Sequence, residues 1–144
     1  MSTGFTEARA RPHEHAVQRL LDELFRRGYA VFEQPLDGHR PDARLASGEY
    51  VEVKTGTPNL AIELASLQTY RQIETLENTR VYIVWIPDGF ESPPADWVVA
   101  TLDSLTAGIL HGPHRHSGSG SNDDWYLCRP RGVPFITFFQ DVSA

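Results

Sequence analysis

The stretch Pro41-Asp42-Ala43-Arg44-Leu45-Ala46-Ser47-Gly48-Glu49-Tyr50-Val51-Glu52-Val53-Lys54-Thr55 is the most informative part of this 144-residue chain. Pro41 and Asp42 close a turn-rich connection that begins at Gln34 and contains Pro35, Asp37 and Gly38. Ala43 to Leu45 then predicts a short strand, Ser47-Gly48 a tight turn, and Tyr50 to Thr55 a second strand. Its alternation sets Val51, Val53 and Thr55 on one face and Tyr50, Glu52 and Lys54 on the other, the Glu52 and Lys54 side chains about 7 Å apart along the strand. A hairpin about Ser47-Gly48 brings Asp42 beside Glu52. Two carboxylates and an ammonium on one strand face are costly unless something binds among them. A hard divalent cation suits that place, because Mg²⁺ takes one or two carboxylates and keeps several waters for a phosphate. Lys54 then orients or helps to deprotonate the attacking water and offsets charge on the phosphate. Taken singly, the residues have plainer readings: Asp42 as a turn residue, and Glu52 with Lys54 as the solvated face of an edge hairpin.

The flanking sequence supplies order. Residues 1–11 are expected to form a flexible arm. From Pro12, placed as a first-turn proline, Ala16, Val17, Leu20, Leu21, Leu24 and Phe25 predict an amphipathic helix closed at Gly28. Tyr29 to Phe32 predicts a strand. After Gly56, Thr57-Pro58-Asn59 is expected to cap a second helix with a stripe of Leu64, Leu67, Tyr70, Ile73 and Leu76. Val81 to Ile86 predicts a strand buried on both faces. The result is helix, three strands, helix, strand over residues 12–87. Beyond that, a strand at Trp97 to Leu102, a short helix at Asp103 to Ile109, a Gly/Ser/His-rich loop at His111 to Asp124, a strand at Trp125 to Cys128 and an apolar segment at Pro134 to Phe139 are expected. Residues 12–144 therefore make one domain, a core at 12–87 with a C-terminal β-rich elaboration at 88–144.

With Pro41-Asp42 and Glu52-Val53-Lys54 in this order of elements, the chain resembles the PD-(D/E)xK nuclease superfamily, nearest to its small resolvase-type or restriction-related members. The resemblance covers roughly residues 12–87. It implies an α/β restriction-endonuclease-like core with a mixed central sheet, and a Mg²⁺- or Mn²⁺-dependent DNA endonuclease leaving a 5′-phosphate and a 3′-hydroxyl. Asp42 and Glu52 would be metal ligands together with the backbone carbonyl of Val53, and Lys54 would position the water. The resemblance further implies a ligand from the first helix, matched here by Glu14, and a polar residue early in the second helix, for which Gln68 is the nearest candidate. Each has a rival reading: an acid in a first helical turn complements the helix dipole, and Gln68 is a polar surface side chain. Tyr50, on the Glu52 face, packs beside the site or lines the DNA path.

Charge bounds the partners. The net charge of −6 does not draw phosphates by an overall field, so any nucleic-acid contact is local. Of the 13 basic residues only Lys54 is a lysine, which singles out a position needing a compact ammonium. Arg11, Arg40, Arg44, Arg71 and Arg115 are the candidate DNA contacts. A homodimer is expected for cutting two strands, because one protomer offers one site. The rival class is a non-catalytic binding or scaffold protein using its acidic surface for a protein partner, and an RNA-directed nuclease shares the same metal chemistry. Three histidines in His111-Gly-Pro-His-Arg-His116 lack the spacing of a zinc site. Trp85, Trp97 and Trp125 are expected in the core, Cys128 as a buried thiol, and Phe135, Phe138 and Phe139 as core closure or a dimer surface. One cysteine and no signal-like N-terminus predict a reducing, cytoplasmic location. The longest apolar run, Val81 to Ile86, is far short of the roughly 18 residues that span a bilayer.

Overall fold

The computed structural model describes residues 3–35, 39–115 and 124–143, and the backbone alone of residues 3–11, 114 and 115. The elements are α1 (Thr3–Arg26), β1 (Val31–Glu33), β2 (Ala43–Leu45), β3 (Tyr50–Thr55), β4 (Leu60–Glu63), α2 (Leu64–Glu77), β5 (Val81–Ile86), β6 (Val98–Ala100), α3 (Leu102–Ala107), β7 (Ile109–Arg115), β8 (Asp124–Cys128), β9 (Val133–Pro134) and α4 (Phe135–Phe138). A 3₁₀ turn, Pro94–Asp96, precedes β6. Six strands form one mixed sheet in the order β1-β2-β3-β5-β6-β9, and β4-β8-β7 form a second. Among the described residues only β3 and β5 run parallel, Glu52 opposite Ile83 and Lys54 opposite Trp85; the other pairs are antiparallel. A parallel pair needs a crossover, and β4 with α2 provides it.

Each face of the large sheet has its own core. On one side Ala16, Leu20 and Leu24, spaced four apart along α1, pack on Val51, Val53, Val84 and Ile86, and Trp97, Phe135 and Phe139 close the layer. On the other, Tyr50, Val81 and Ile83 meet Leu67, Tyr70 and Ile73 of α2 with Leu60, Ile62 and Cys128 of the second sheet. The expected α1 stripe does not stay wholly inside: Leu24 is buried, but its neighbour Phe25 is 78% exposed.

Sequence expectation and structure part at four places. The helix starts at Thr3, so residues 3–11 are helical rather than an arm and Pro12 lies inside α1. Leu60–Glu63 is a strand, not the first turn of the second helix; Leu60 and Ile62 are buried while Ala61 is exposed, and β8, more than sixty residues on, supplies the pairing. The N-cap of α2 is accordingly Glu63. The short third helix begins at Leu102 with the Thr101 hydroxyl accepting from the Ser104 N–H (3.1 Å). Residues 109–115 form β7, irregular around Gly112-Pro113, where the end of the short helix at Ile109 and a loop from His111 were expected; His116 lies outside the described residues. Phe135 and Phe139 close the core, whereas Phe138 packs edge-on against Tyr82 and stays 37% exposed. Among the described residues no helix is long and apolar enough to cross a membrane.

Two glycines fix the approach to the site. A Cβ on Gly89 would stand 2.0 Å from the Pro12 carbonyl oxygen, so the loop after β5 lies directly on the turn of α1 that carries His13. Arg19 holds the same loop through the Ser92 carbonyl and covers the Trp97 ring. Gly56, at φ +127, turns the chain immediately after Lys54 and β3, and its carbonyl accepts from the Trp85 indole N–H (2.7 Å).

Candidate active site

The register of β2 on β3 ends at Ala43 opposite Val51, so Asp42 stands beside Glu52 where the pairing gives out. There the two acids interlock. The Asp42 N–H donates to Glu52 Oε1 (3.0 Å), and the Val53 N–H donates to Asp42 Oδ2 (2.8 Å). Asp42 Oδ1 meets His13 Nε2 of α1 at 3.2 Å, and Glu52 Oε2 meets Lys54 Nζ at 3.4 Å. Asp42 and Glu52 are 8% and 6% exposed. Tyr70 of α2 lies against the Glu52 carboxylate, and Ser66, one turn earlier, bonds to His39 Nδ1 (3.0 Å). Among the described residues no buried side-chain nitrogen or oxygen lacks a partner.

Burial and contact divide the charge unequally. Burial drives Glu52 up to about 8 against the pull of Lys54, with the Asp42 charge adding to the rise. Burial also opposes ionisation of Asp42, but the hydrogen bonds from His13, Glu52 and Val53 outweigh it and hold Asp42 below the ordinary carboxylate value. The bond to Asp42 raises His13 despite its burial. Burial, then the Glu52 charge beside it, holds the Tyr70 phenol far above its usual value. The two acids are thus pushed in opposite directions, Asp42 toward the charged form and Glu52 toward the neutral one.

Two clefts open on either side. One of about 440 Å³ is lined by His13, Glu14, Val17, Glu33, Gln34 and Asp42. The other, about 300 Å³, is lined by Lys54, Ala61, Ile62, Glu63 and Trp125. Among the described residues no group of three or more His, Cys, Asp and Glu side chains surrounds a point suited to a metal ion. The donor chemistry nevertheless fits a hard cation. Both groups are oxygen donors of the hard kind such a cation takes, and the Val53 carbonyl leaves its strand on the same side as the N–H that binds Asp42.

Asp42, Glu52 and Lys54 therefore come together as the spacing predicts. Glu14 lies exposed on the rim of the first cleft, while its neighbour His13 reaches Asp42. Gln68 is not brought to the triad; it lines a separate surface groove with Leu64, Leu67, Arg71 and Thr106, and Ser66 and Tyr70 occupy the inward face of α2 instead. Tyr50 is buried, its hydroxyl donating to Glu77 (2.7 Å). Arg40 and Arg44 both approach Glu77, and Arg71 pairs with Asp103 (2.9 Å). The Arg11 and Arg115 side chains fall outside the described residues. Trp97 is buried as expected, but Trp85 and Trp125 are half-buried. His13 was legible only as a helix residue, because nothing in its spacing from Asp42 signals contact.

No protein-family model matches the chain, and no curated protein matches it in sequence. Among solved structures it is similar to Hjc, a Holliday junction resolvase from the archaeal hyperthermophile Archaeoglobus fulgidus, with a TM-score of 0.62 and 15% identity over 92% of this chain and 98% of that one. At that identity the likeness is one of fold. The chain has the α/β, restriction-endonuclease-like fold that its resemblance to the PD-(D/E)xK superfamily implies.

Proposed function

We propose that the protein is a divalent-cation-dependent DNA endonuclease working at Asp42, Glu52 and Lys54, with Mg²⁺ or Mn²⁺ held by the two carboxylates and the Val53 carbonyl. One observation carries the reading: two buried acids, Asp42 just before β2 and Glu52 on β3, interlock through backbone N–H groups, with the chain's only lysine 3.4 Å from the second. A bound cation supplies Lewis-acid chemistry, lowering the pKa of a coordinated water and taking up charge on phosphate oxygens. The protein's own groups set the geometry. His13 and the Val53 N–H hold the two oxygens of Asp42 and so fix the plane of its carboxylate. Lys54 has three donors; one faces Glu52, and the cleft beside it leaves the others for a water or a phosphate oxygen. Glu14, on the rim of the Asp42 cleft, would reach the cation through water. Hydrolysis of both strands calls for two protomers.

The resolvase-like fold supports a nuclease. The net charge and the engagement of Arg40, Arg44 and Arg71 with acids favour a second reading, a non-catalytic scaffold brought to nucleic acid by a partner. Cleavage of plasmid, linear and branched DNA, and of RNA, by the purified protein with Mg²⁺, Mn²⁺ or chelator separates the two. The nuclease reading expects metal-dependent cutting that Asp42→Ala and Lys54→Ala both abolish. No cutting of any substrate under any condition supports the scaffold.

A further inference from the structure

The cleft beside Lys54 has one wall from β3 and one from the C-terminal elaboration, and its chemistry changes across its width. In the β4-β8 ladder Ala61 stands opposite Leu127 and Glu63 opposite Trp125, so these four share one face of the small sheet. Leu60, Ile62, Tyr126 and Cys128 share the other, which packs into the core. The outward face therefore places an indole at the cleft with the Ala61 methyl; Ile62, whose side chain belongs to the core face, also lines it, and Lys54 closes the opposite side. Glu63, also on the rim, is paired with His39 (3.5 Å) and is 41% exposed. A carboxylate there repels phosphate but accepts from the exocyclic amine of a nucleobase. The volume, about 300 Å³, is at the lower end of small-molecule pockets. An apolar floor, an aromatic wall, an acceptor at one edge and an ammonium at the other match a base followed by its phosphate.

We propose that this cleft receives an unpaired nucleotide beside the scissile phosphate, its base stacked on Trp125 and its phosphate toward Lys54. The preferred substrates are then DNAs with a single-stranded or bulged nucleotide at the cut. A base held in a duplex presents its π-face to its neighbours and not to a protein side chain, so the cleft selects against fully paired DNA. The inference rests on the nuclease reading for the identity of the phosphate, and on the β8 wall alone for the base.

The test measures binding in chelator, by fluorescence anisotropy, of labelled single-stranded DNA, a duplex with one bulged nucleotide and the fully paired duplex. Wild type is expected to favour the first two by about tenfold or more, the scale of one stacked base. Trp125→Ala removes that preference and leaves paired-duplex affinity unchanged, while Trp125→Phe, which keeps a π-face, retains most of it. Unaltered melting of both variants excludes misfolding. Wild type without a preference, or a preference untouched in Trp125→Ala, overturns the proposal. Mg²⁺-dependent cleavage, assayed in parallel, keeps the two readings apart: Trp125-dependent binding without cutting defeats only the nuclease, and cutting indifferent to Trp125 defeats only the base cleft.

Discussion

The two faces of β3 are a few ångströms apart and have opposite designs. Val51 and Val53 point into a layer of aliphatic and aromatic side chains under α1. Glu52 and Lys54 point the other way, where Glu52 is buried beside Tyr70 and Lys54 opens to a cleft. The first face is favourable by hydrophobic burial alone. The second desolvates a carboxyl group and is tolerated because its oxygens find the Asp42 N–H and the Lys54 ammonium. What separates the faces is that one is filled with groups that need nothing further, and the other with groups whose protonation a cation would change.

The comparison breaks most sharply at the lysine. Lys54→Ala should lower the cleavage rate by about 10²–10⁴-fold, the range lost with a group that positions or deprotonates a nucleophile, while melting changes little; steady-state assays against melting curves check it. On the other face Leu20→Ala should cost about 2–5 kcal/mol of stability in denaturant titrations, because Leu20 is fully buried, and leave the rate per folded molecule unchanged. His13→Ala removes a hydrogen bond that keeps Asp42 ionised. Cleavage should fall about 10–100-fold, with the acid limb of the pH profile moved to higher pH.

Glu52 sharpens the contrast through stability. Its carboxyl is raised from an ordinary 4.5 to about 8, so the folded chain holds a proton that the unfolded chain has released. Stability should fall as pH rises from about 4.5 to about 8 and flatten above, the reverse of an ordinary salt-bridged carboxylate. Glu52→Gln should remove that slope and stabilise the protein at pH 8 by about 1–3 kcal/mol, with cleavage lost. At the small end, Gln68→Ala should change stability by less than about 0.5 kcal/mol and leave cleavage alone, as befits an exposed residue away from the triad.

Local pattern carried the central hairpin, because alternation, a Ser-Gly turn and the Asp42-to-Glu52 spacing are all short-range. The same rule found α2 and β5. It failed where partners are distant in sequence. Leu60–Glu63 follows a proline and a capping Asn59 and looks helical until β8 pairs with it. Residues 109–115 look like loop because Gly112-Pro113 interrupts the strand that β8 organises. In the site, Asp42, Glu52 and Lys54 were legible from a strand's period of two, whereas His13 was not, because the approach of α1 to Asp42 depends on Gly89 seating against Pro12. Glu14 lies on the rim of the Asp42 cleft while its neighbour His13 makes the direct contact, and Gln68 lines a separate groove while Ser66 and Tyr70 face inward.

The claim on which the rest depends is that Asp42 and Glu52 together form a divalent-cation site. Calorimetric titration of the protein with Mn²⁺ at neutral pH, alongside Asp42→Asn and Glu52→Gln, tests it without reference to any substrate. A saturable site in the wild type that both variants lose is the expected result; no Mn²⁺ binding at millimolar concentrations, or binding that both variants keep, would contradict it.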